Sequence, residues 1–326
     1  MKSEILALLR ERADYVSGQE LCERFKVSRT AVWKAINQLK KEGYRIEAVQ
    51  NKGYLLAKEE EVFGQHELES RMQTAWAGKP VTFYDTIDST NLRAKLEAES
   101  GAGHGTLIVA DMQTSGRGRR GRSWNSPAGT NVYFTLLLKP EFAPDKASML
   151  TLVMALAVAE GIRVTTGIDT GIKWPNDIVA DGRKVCGILT EMSVEQDYIH
   201  YVVIGVGINA GKQEFAPEIA ATAADLEEIC GNKIPRATLV AEIMKAFEKY
   251  YALFLQNLDL SGLLEAYNAV CVNCGKEVRV LDPKGEYVAF AKGIDPAGEL
   301  LVETADGNIQ AIYAGEVSVR GIYGYV

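Results

Sequence analysis

Apolar positions in the first sixty residues recur at helical spacing. In "SEILALLRER", Ile5, Leu6, Leu8 and Leu9 fall on one stripe, and "SGQELCERFKV" predicts a shorter helix packing Leu21 and Phe25. Ser28 is placed to cap "SRTAVWKAINQLKKEG", where Val32, Ile36 and Leu39 repeat every three or four residues. Gly43 ends that helix, and "YRIEAVQNKGYLLA" alternates about an Asn-Lys-Gly turn as a β-hairpin does. "KEEEVFGQHELESRM" reads as a linker entering the first helix of a second domain. There, strand-like runs ("PVTFYDTI", "GTLIVADMQ", "NVYFTLLLK", "YIHYVVIGVGIN") mix with helix-like runs ("STNLRAKLEAES", "ASMLTLVMALAVAEGIRV"), which predicts an α/β or α+β core. Near residue 272 the texture changes to short β runs split by Pro-Lys-Gly, Pro-Ala-Gly and Asp-Gly turns, predicting a small, barrel-like all-β module.

Composition adds bounds. The 326 residues, 47% hydrophobic and 24% charged, suffice for two or three globular domains. The charged start "MKSEILALLRERADY" is unlike a signal peptide, and the longest apolar run, 150–159, falls short of the ~20 residues a membrane span needs. Five cysteines at irregular spacing point to a reduced, cytoplasmic protein with no membrane partner. Cys271 and Cys274 form a lone CxxC, read as ordinary packing against the alternative of a metal or redox pair.

Charge is uneven. Residues 1–60 hold twelve Lys and Arg against nine Asp and Glu, so a head of +3 sits on a body of −10 in a chain of net −7. The third helix turns Arg29, Thr30, Lys34, Asn37, Gln38 and Lys41 away from its apolar stripe. Two helices, a tight turn and a β wing resemble a winged helix-turn-helix. That fold puts the helix beginning at Ser28 into the DNA major groove, with cations on phosphates and Asn or Gln on base edges. The plain alternative is the solvated face of an amphipathic helix.

"TSGRGRRGRSW" (114–124) sets Arg117, Arg119, Arg120 and Arg122 among glycines. Gly116, Gly118 and Gly121 match GxGxxG by letter. The dinucleotide fingerprint, however, requires a helix directly afterwards, and here a turn and a strand follow. Two guanidinium groups ~6 Å apart repel by about 3 kcal/mol at an effective dielectric of 20. The empty loop is therefore expected in water, and an anion would order it through charge-assisted bonds. Further on, "GIKWPNDIVADGRKVCGILTE" (171–191) places Pro175 in a rigid corner and Lys184 at the head of an apolar strand. A held ammonium there suits neutralising a phosphoryl oxygen, though a lone lysine can also snorkel.

"DSTN" (88–91), "QTSGRGRRGRSWNSPAGTN" (113–131), "KWPND" (173–177), "GRKVCGILTE" (182–191) and "GVGIN" (205–209) together resemble biotin–protein ligase. The basic head makes the chain similar to the bifunctional type that also represses biotin genes. The resemblance covers essentially the whole chain. It implies an α+β multidomain protein: a winged helix-turn-helix at 1–62, a catalytic mixed-sheet domain similar to class II aminoacyl-tRNA synthetases at 63–271, and an SH3-like β domain at 272–326.

The resemblance also implies a reaction. ATP activates biotin to biotinyl-5′-AMP, and a lysine of a biotin carboxyl carrier protein then takes the biotinyl group. Lys184, Arg119 and Arg122 would act on carboxylate and phosphate, with Mg²⁺ bridging phosphates near Asp177. Ser89, Thr90, Asn91, Gln113, Gly116, Arg117, Arg119, Lys184 and Gly187 would surround biotin, with Gly187 letting backbone approach it. Arg119, Arg122, Trp124, Asn176, Lys184 and Asn209 would serve ATP, Trp124 by stacking on adenine. Asn125 stands where the family often carries a larger apolar residue. Adenylate would favour a homodimer bound to operator DNA. Two rival readings are a non-enzymatic transcription factor sensing an anionic metabolite, and a ligase for another acid such as lipoate.

Overall fold

The computed structural model describes residues 1–57, 62–282, 285–313, 318–321 and 325, with 318–320 as backbone alone. The predicted linker falls partly on 58–61, outside the described residues.

The head folds as its pattern dictates. Helices α1 (Lys2–Arg12), α2 (Gly18–Phe25) and α3 (Arg29–Lys41) precede a hairpin of β1 (Ile46–Val49) and β2 (Gly53–Leu56). Ser17 caps α2 by accepting from Glu20 N, and Ser28 caps α3 by accepting from Ala31 N at 3.2 Å. Ile5, Leu6, Leu8, Leu9, Leu21, Val32, Ile36 and Leu39 are buried together. The fold is a helix-turn-helix with a two-stranded wing.

Helix α4 (Gln65–Arg71) joins head to body. Glu67, 1% exposed, accepts from Arg10 through both oxygens at 2.8 Å and from Arg71 Nε at 2.6 Å. Arg10 also donates to Ser70, so α1 is clasped to α4.

The central body holds β3 (Val81–Ile87), α5 (Thr90–Glu99), β4 (Leu107–Gln113), β5 (Val132–Leu138), α6 (Leu150–Thr166), β6 (Gly171–Lys173), β7 (Asp177–Ala180), β8 (Arg183–Glu195), β9 (Tyr198–Ile208), α7 (Leu226–Cys230), α8 (Arg236–Asn257) and α9 (Leu264–Val270). Its seven strands run in the order β3-β4-β5-β9-β8-β7-β6. Only β3–β4, linked across α5, is parallel; every other pair is antiparallel. The sheet is therefore mixed. Its two-residue period separates the faces: Leu107, Val109, Phe134 and Leu136 pack with α6 and α8, while Ile108, Leu137 and Val203 pack with Ala94 and Ala98 of α5.

A helical stretch from Pro144 to Thr166 is long and apolar enough to cross a membrane, a longer element than the 150–159 run indicated. Most of it is buried, with Val153, Ala157 and Ile162 inside the core. It is the central core helix.

Both borders of the sheet are occupied. At β3, Gln65 donates to Val81 O at 2.7 Å and accepts from Phe83 N at 2.8 Å. At β6, Val272 N donates to Ile172 O, and Trp174 N donates to Asn273 Oδ1. The CxxC turn thus lies against the KWPND corner.

The last unit is an antiparallel sheet of β10 (Lys276–Asp282), β11 (Gly285–Ile294), β12 (Leu300–Glu303), β13 (Ile309–Ile312) and β14 (Ser318–Gly321), ordered β13-β12-β11-β10-β14. Val278, Val280, Ala291, Leu300 and Val302 continue the central core. Among the described residues β13 and β14 are the borders of this antiparallel sheet.

Candidate active site

The β4–β5 connection, the N-terminus of α5, the β6–β7 corner, the first half of β8 and the last residues of β9 converge on a cavity of about 430 Å³. Segments scattered from Ser89 to Ala223, with Tyr325 besides, therefore share the wall. Its lining includes Ser89, Thr90, Asn91, Gln113, Arg117 and Arg119. Arg122, Trp124, Asn176, Asp177, Lys184, Gly187 and Asn209 line it as well. Of the residues the sequence pointed to, Gly116 stands outside the lining: it is buried behind Trp124, and a Cβ there would lie 2.4 Å from Trp124 O.

The arginine loop folds on itself. Gly118 N donates to Arg122 O at 2.7 Å and Trp124 N to Gly116 O at 2.9 Å, around a 3₁₀ turn at Arg119–Gly121. No helix follows, in keeping with the rejected dinucleotide fingerprint. Arg117, Arg120 and Arg122 are exposed. Arg117 and Arg122 form no ion pair among the described residues. Arg119 is half-buried and donates to Asn176 Oδ1 at 2.7 Å; Asn176 Nδ2 in turn donates to Ile188 O. Burial lowers the Arg119 pKa, Asp177 raises it, and Arg120 lowers it further.

Lys184 leads β8. Its Nζ lies 2.5 Å from Asp177 Oδ1 and 5.4 Å from the Trp124 ring, and its backbone is held by Thr222 O and Ala224 N. Among the cavity-lining side chains five are cationic (Arg117, Arg119, Arg120, Arg122, Lys184) and one, Asp177, is anionic. In a chain of net −7, this is a focused positive field suited to an anionic ligand.

Thr90 donates to Gln113 through its backbone N and its hydroxyl at 2.9 and 3.1 Å, and Gln113 Nε2 donates to Ser126. The Asn91 amide is spent on structure, donating to Glu191 and accepting from Thr135. Asn209 donates to Ala224 O and so straps the segment before α7 to the sheet. Gly187 does bring backbone close to a ring, but the ring is Trp124. A Cβ on Gly187 would stand 2.9 Å from Trp124 Cζ3, and one on Gly207 would stand 2.6 Å from Trp124 Nε1. That Nε1 is buried without a hydrogen-bond partner among the described residues.

Two parts of the wall were not read from sequence. Gln213, Phe215, Ala216 and Ile219 come from the aperiodic stretch after "GVGIN", anchored where Asn131 donates to Gln213 Oε1. Tyr325 reaches in from the end of the chain. None of the three histidines lines the cavity; His104, its pKa lowered by burial, packs on Trp76 instead.

No group of three His, Cys, Asp or Glu is placed to hold a metal among the described residues. One carboxylate, Asp177, suits a cation carried chiefly by phosphate oxygens and water rather than a protein cage.

On the head, Arg29, Thr30, Lys34, Gln38 and Lys41 are exposed and Asn37 is half-exposed, all on α3. Ser28 is exposed, its hydroxyl engaged as the cap. Trp33, 58% exposed between these cations, was not singled out by its sequence.

Residues 83–209 match the model of the biotin/lipoate A/B protein ligase family, 2–55 a helix-turn-helix domain, and 274–320 the biotin protein ligase C-terminal domain. The bifunctional ligase/repressor BirA of Bacillus subtilis is 39% identical over 94% of each chain. The chain belongs to the biotin–protein ligase family. Within it the three-part architecture is that of the bifunctional ligase/repressors, and the relative from Salmonella typhimurium is 30% identical over 97% of this chain and 96% of its own. The biotin protein ligase of Aquifex aeolicus, solved with biotin and ATP, superposes with a TM-score of 0.65 at 32% identity, covering 74% of this chain and 99% of its own.

Proposed function

We propose that this chain activates biotin with ATP and transfers it to a lysine of a biotin carboxyl carrier protein. In the first step a biotin carboxylate oxygen bonds to the α-phosphorus, the bond to the β-phosphate oxygen breaks, and pyrophosphate leaves. In the second, the carrier lysine nitrogen bonds to the acyl carbon, AMP leaves, and the amine proton passes to solvent. Substrate supplies both nucleophiles, so the protein needs only to position two anions and neutralise charge developing between them. The observation that carries this reading is the cavity's five cations facing one carboxylate.

Lys184, kept on Asp177 Oδ1 through one N–H, would turn its other donors to bridge carboxylate and α-phosphate, with Arg119 held ready by Asn176 and Arg122 free to close. Arg117 and the Thr90–Gln113 pair would face biotin, and Trp124 would lie against adenine. Mg²⁺ would neutralise phosphate oxygens, with Asp177 as its one protein carboxylate.

The head would bind operator DNA of biotin genes through α3, as a homodimer favoured by adenylate, in the cytoplasm. Biotin-dependent exchange of radiolabelled pyrophosphate into ATP is expected. No exchange with biotin, and strong exchange with lipoate, would move the reading to another acid; none with either acid would leave a metabolite sensor.

A further inference from the structure

Tyr325 follows β14 of the C-terminal sheet, yet its side chain is part of the cavity wall. Its Oη donates to Asp177 Oδ2 at 2.5 Å. The other oxygen of the same carboxylate, Oδ1, receives Lys184 Nζ at 2.5 Å. The Tyr325 ring lies 3.3 Å from Nζ of Lys173, a buried ammonium 6% exposed in β6. One phenol therefore covers the ammonium on one side of the KWPND corner and fixes the carboxylate on the other.

The consequence follows from carboxylate geometry. Asp177 faces two neighbouring cations, Lys184 at Oδ1 and Arg119, whose guanidinium it stabilises. A carboxylate free to turn about its last torsion can offer both oxygens to either cation. With Oδ2 held by the phenol, only Oδ1 is left for Lys184, and the ammonium is kept in single-point contact, facing the cavity. The ring closes the side of the corner where water would otherwise reach Lys173.

We propose that Tyr325 is a positioning residue of the ligase site, acting through Asp177 on Lys184. This rests on the ligase reading above. It predicts that the tail governs turnover more than substrate binding, because Tyr325 orders the lysine that serves the charged transition state.

The test is biotin-dependent pyrophosphate exchange by the full chain and its variants. Tyr325→Phe keeps the ring over Lys173 and removes only the hydroxyl; kcat should fall about tenfold, the size of one lost hydrogen bond to a charged group, with the KM for biotin within about twofold. Asp177→Asn should be slow by itself, and adding Tyr325→Phe should slow it no further, since the hydroxyl acts only through that carboxylate. Full kcat in Tyr325→Phe overturns the inference while leaving the ligase reading intact, as do effects that multiply in the double variant. A wild-type chain without exchange overturns both.

Discussion

Lys184 and Asp177 form a 2.5 Å ion pair at the mouth of two strands, the lysine leading β8 and the aspartate leading β7. The register places Val179, not Asp177, opposite Lys184, and an irregularity between Ile178 and Val179 shifts the ladder. The pair is thus made by side chains reaching along the strands. The single contact to Oδ1 leaves the ammonium two further N–H groups to turn toward the cavity.

Lys184→Ala should therefore lower adenylate formation by roughly 10²–10³-fold, as loss of one preorganised charge donor does. Both partners are partly exposed, at 25% and 15%, so the fold should survive. Single-turnover adenylation with a parallel thermal melt checks this. Undiminished turnover would remove Lys184 from the chemistry.

Asn176 aims Arg119 by accepting from Nη1 and is itself tied to Ile188. Asn176→Ala should release the guanidinium and raise the KM for ATP about tenfold, the equivalent of one charge-assisted hydrogen bond. Steady-state kinetics would decide it: an unchanged KM would mean that Arg119 finds its place without the asparagine.

Gly207→Ala puts a methyl 2.6 Å from Trp124 Nε1. The indole must move, at a cost of about 1–3 kcal/mol. Nucleotide affinity should drop and tryptophan emission shift in the empty protein. An unaltered spectrum with wild-type affinity would show that the ring does not rest on this strand.

Lys34 is exposed on α3. Lys34→Ala should weaken binding to all DNA sequences alike and reduce the slope of log K against log salt by about one. Gln38→Ala should instead relax sequence preference. A salt slope that stays the same would take Lys34 off the phosphates.

Glu67 joins the two domains. Glu67→Ala leaves Arg10 and Arg71 without their shared carboxylate, and about 1–3 kcal/mol of stability should go. Calorimetry should show the head melting ahead of the body. A single unshifted transition would argue that the clasp contributes nothing.

Much of this was legible in sequence, where local pattern decides the outcome. The helices of the head announce themselves through Ile5–Leu9 and Val32–Leu39, and the strands through alternation. The arginine loop, KWPND and Lys184 could be assigned to one site because each motif is rich in anion-binding chemistry, although only the sheet order brings them together. Helix α8 has a legible stripe, Ala237, Val240, Met244, Phe247, Tyr251 and Phe254 recurring every three or four residues, that the sequence reading passed over. The 213–219 wall lacks periodicity altogether. Tyr325 meets Asp177 across 148 residues, a separation that no local pattern encodes. Gly187, expected from the resemblance to face biotin, stands in the structure against the protein's own Trp124 indole. The CxxC proved to be part of a buttress: Asn273 between its cysteines caps Trp174, and Cys271 runs beside Ile172.

The occupied borders of the central sheet constrain how copies of this protein can meet. Gln65 takes the first outward bonds of β3, and Val272 with Asn273 takes those of β6. What stays open at the end of β3 is shorter than the five or six residues of an ordinary strand. A ladder between two copies at β3 would have only Tyr84–Ile87 left to run along.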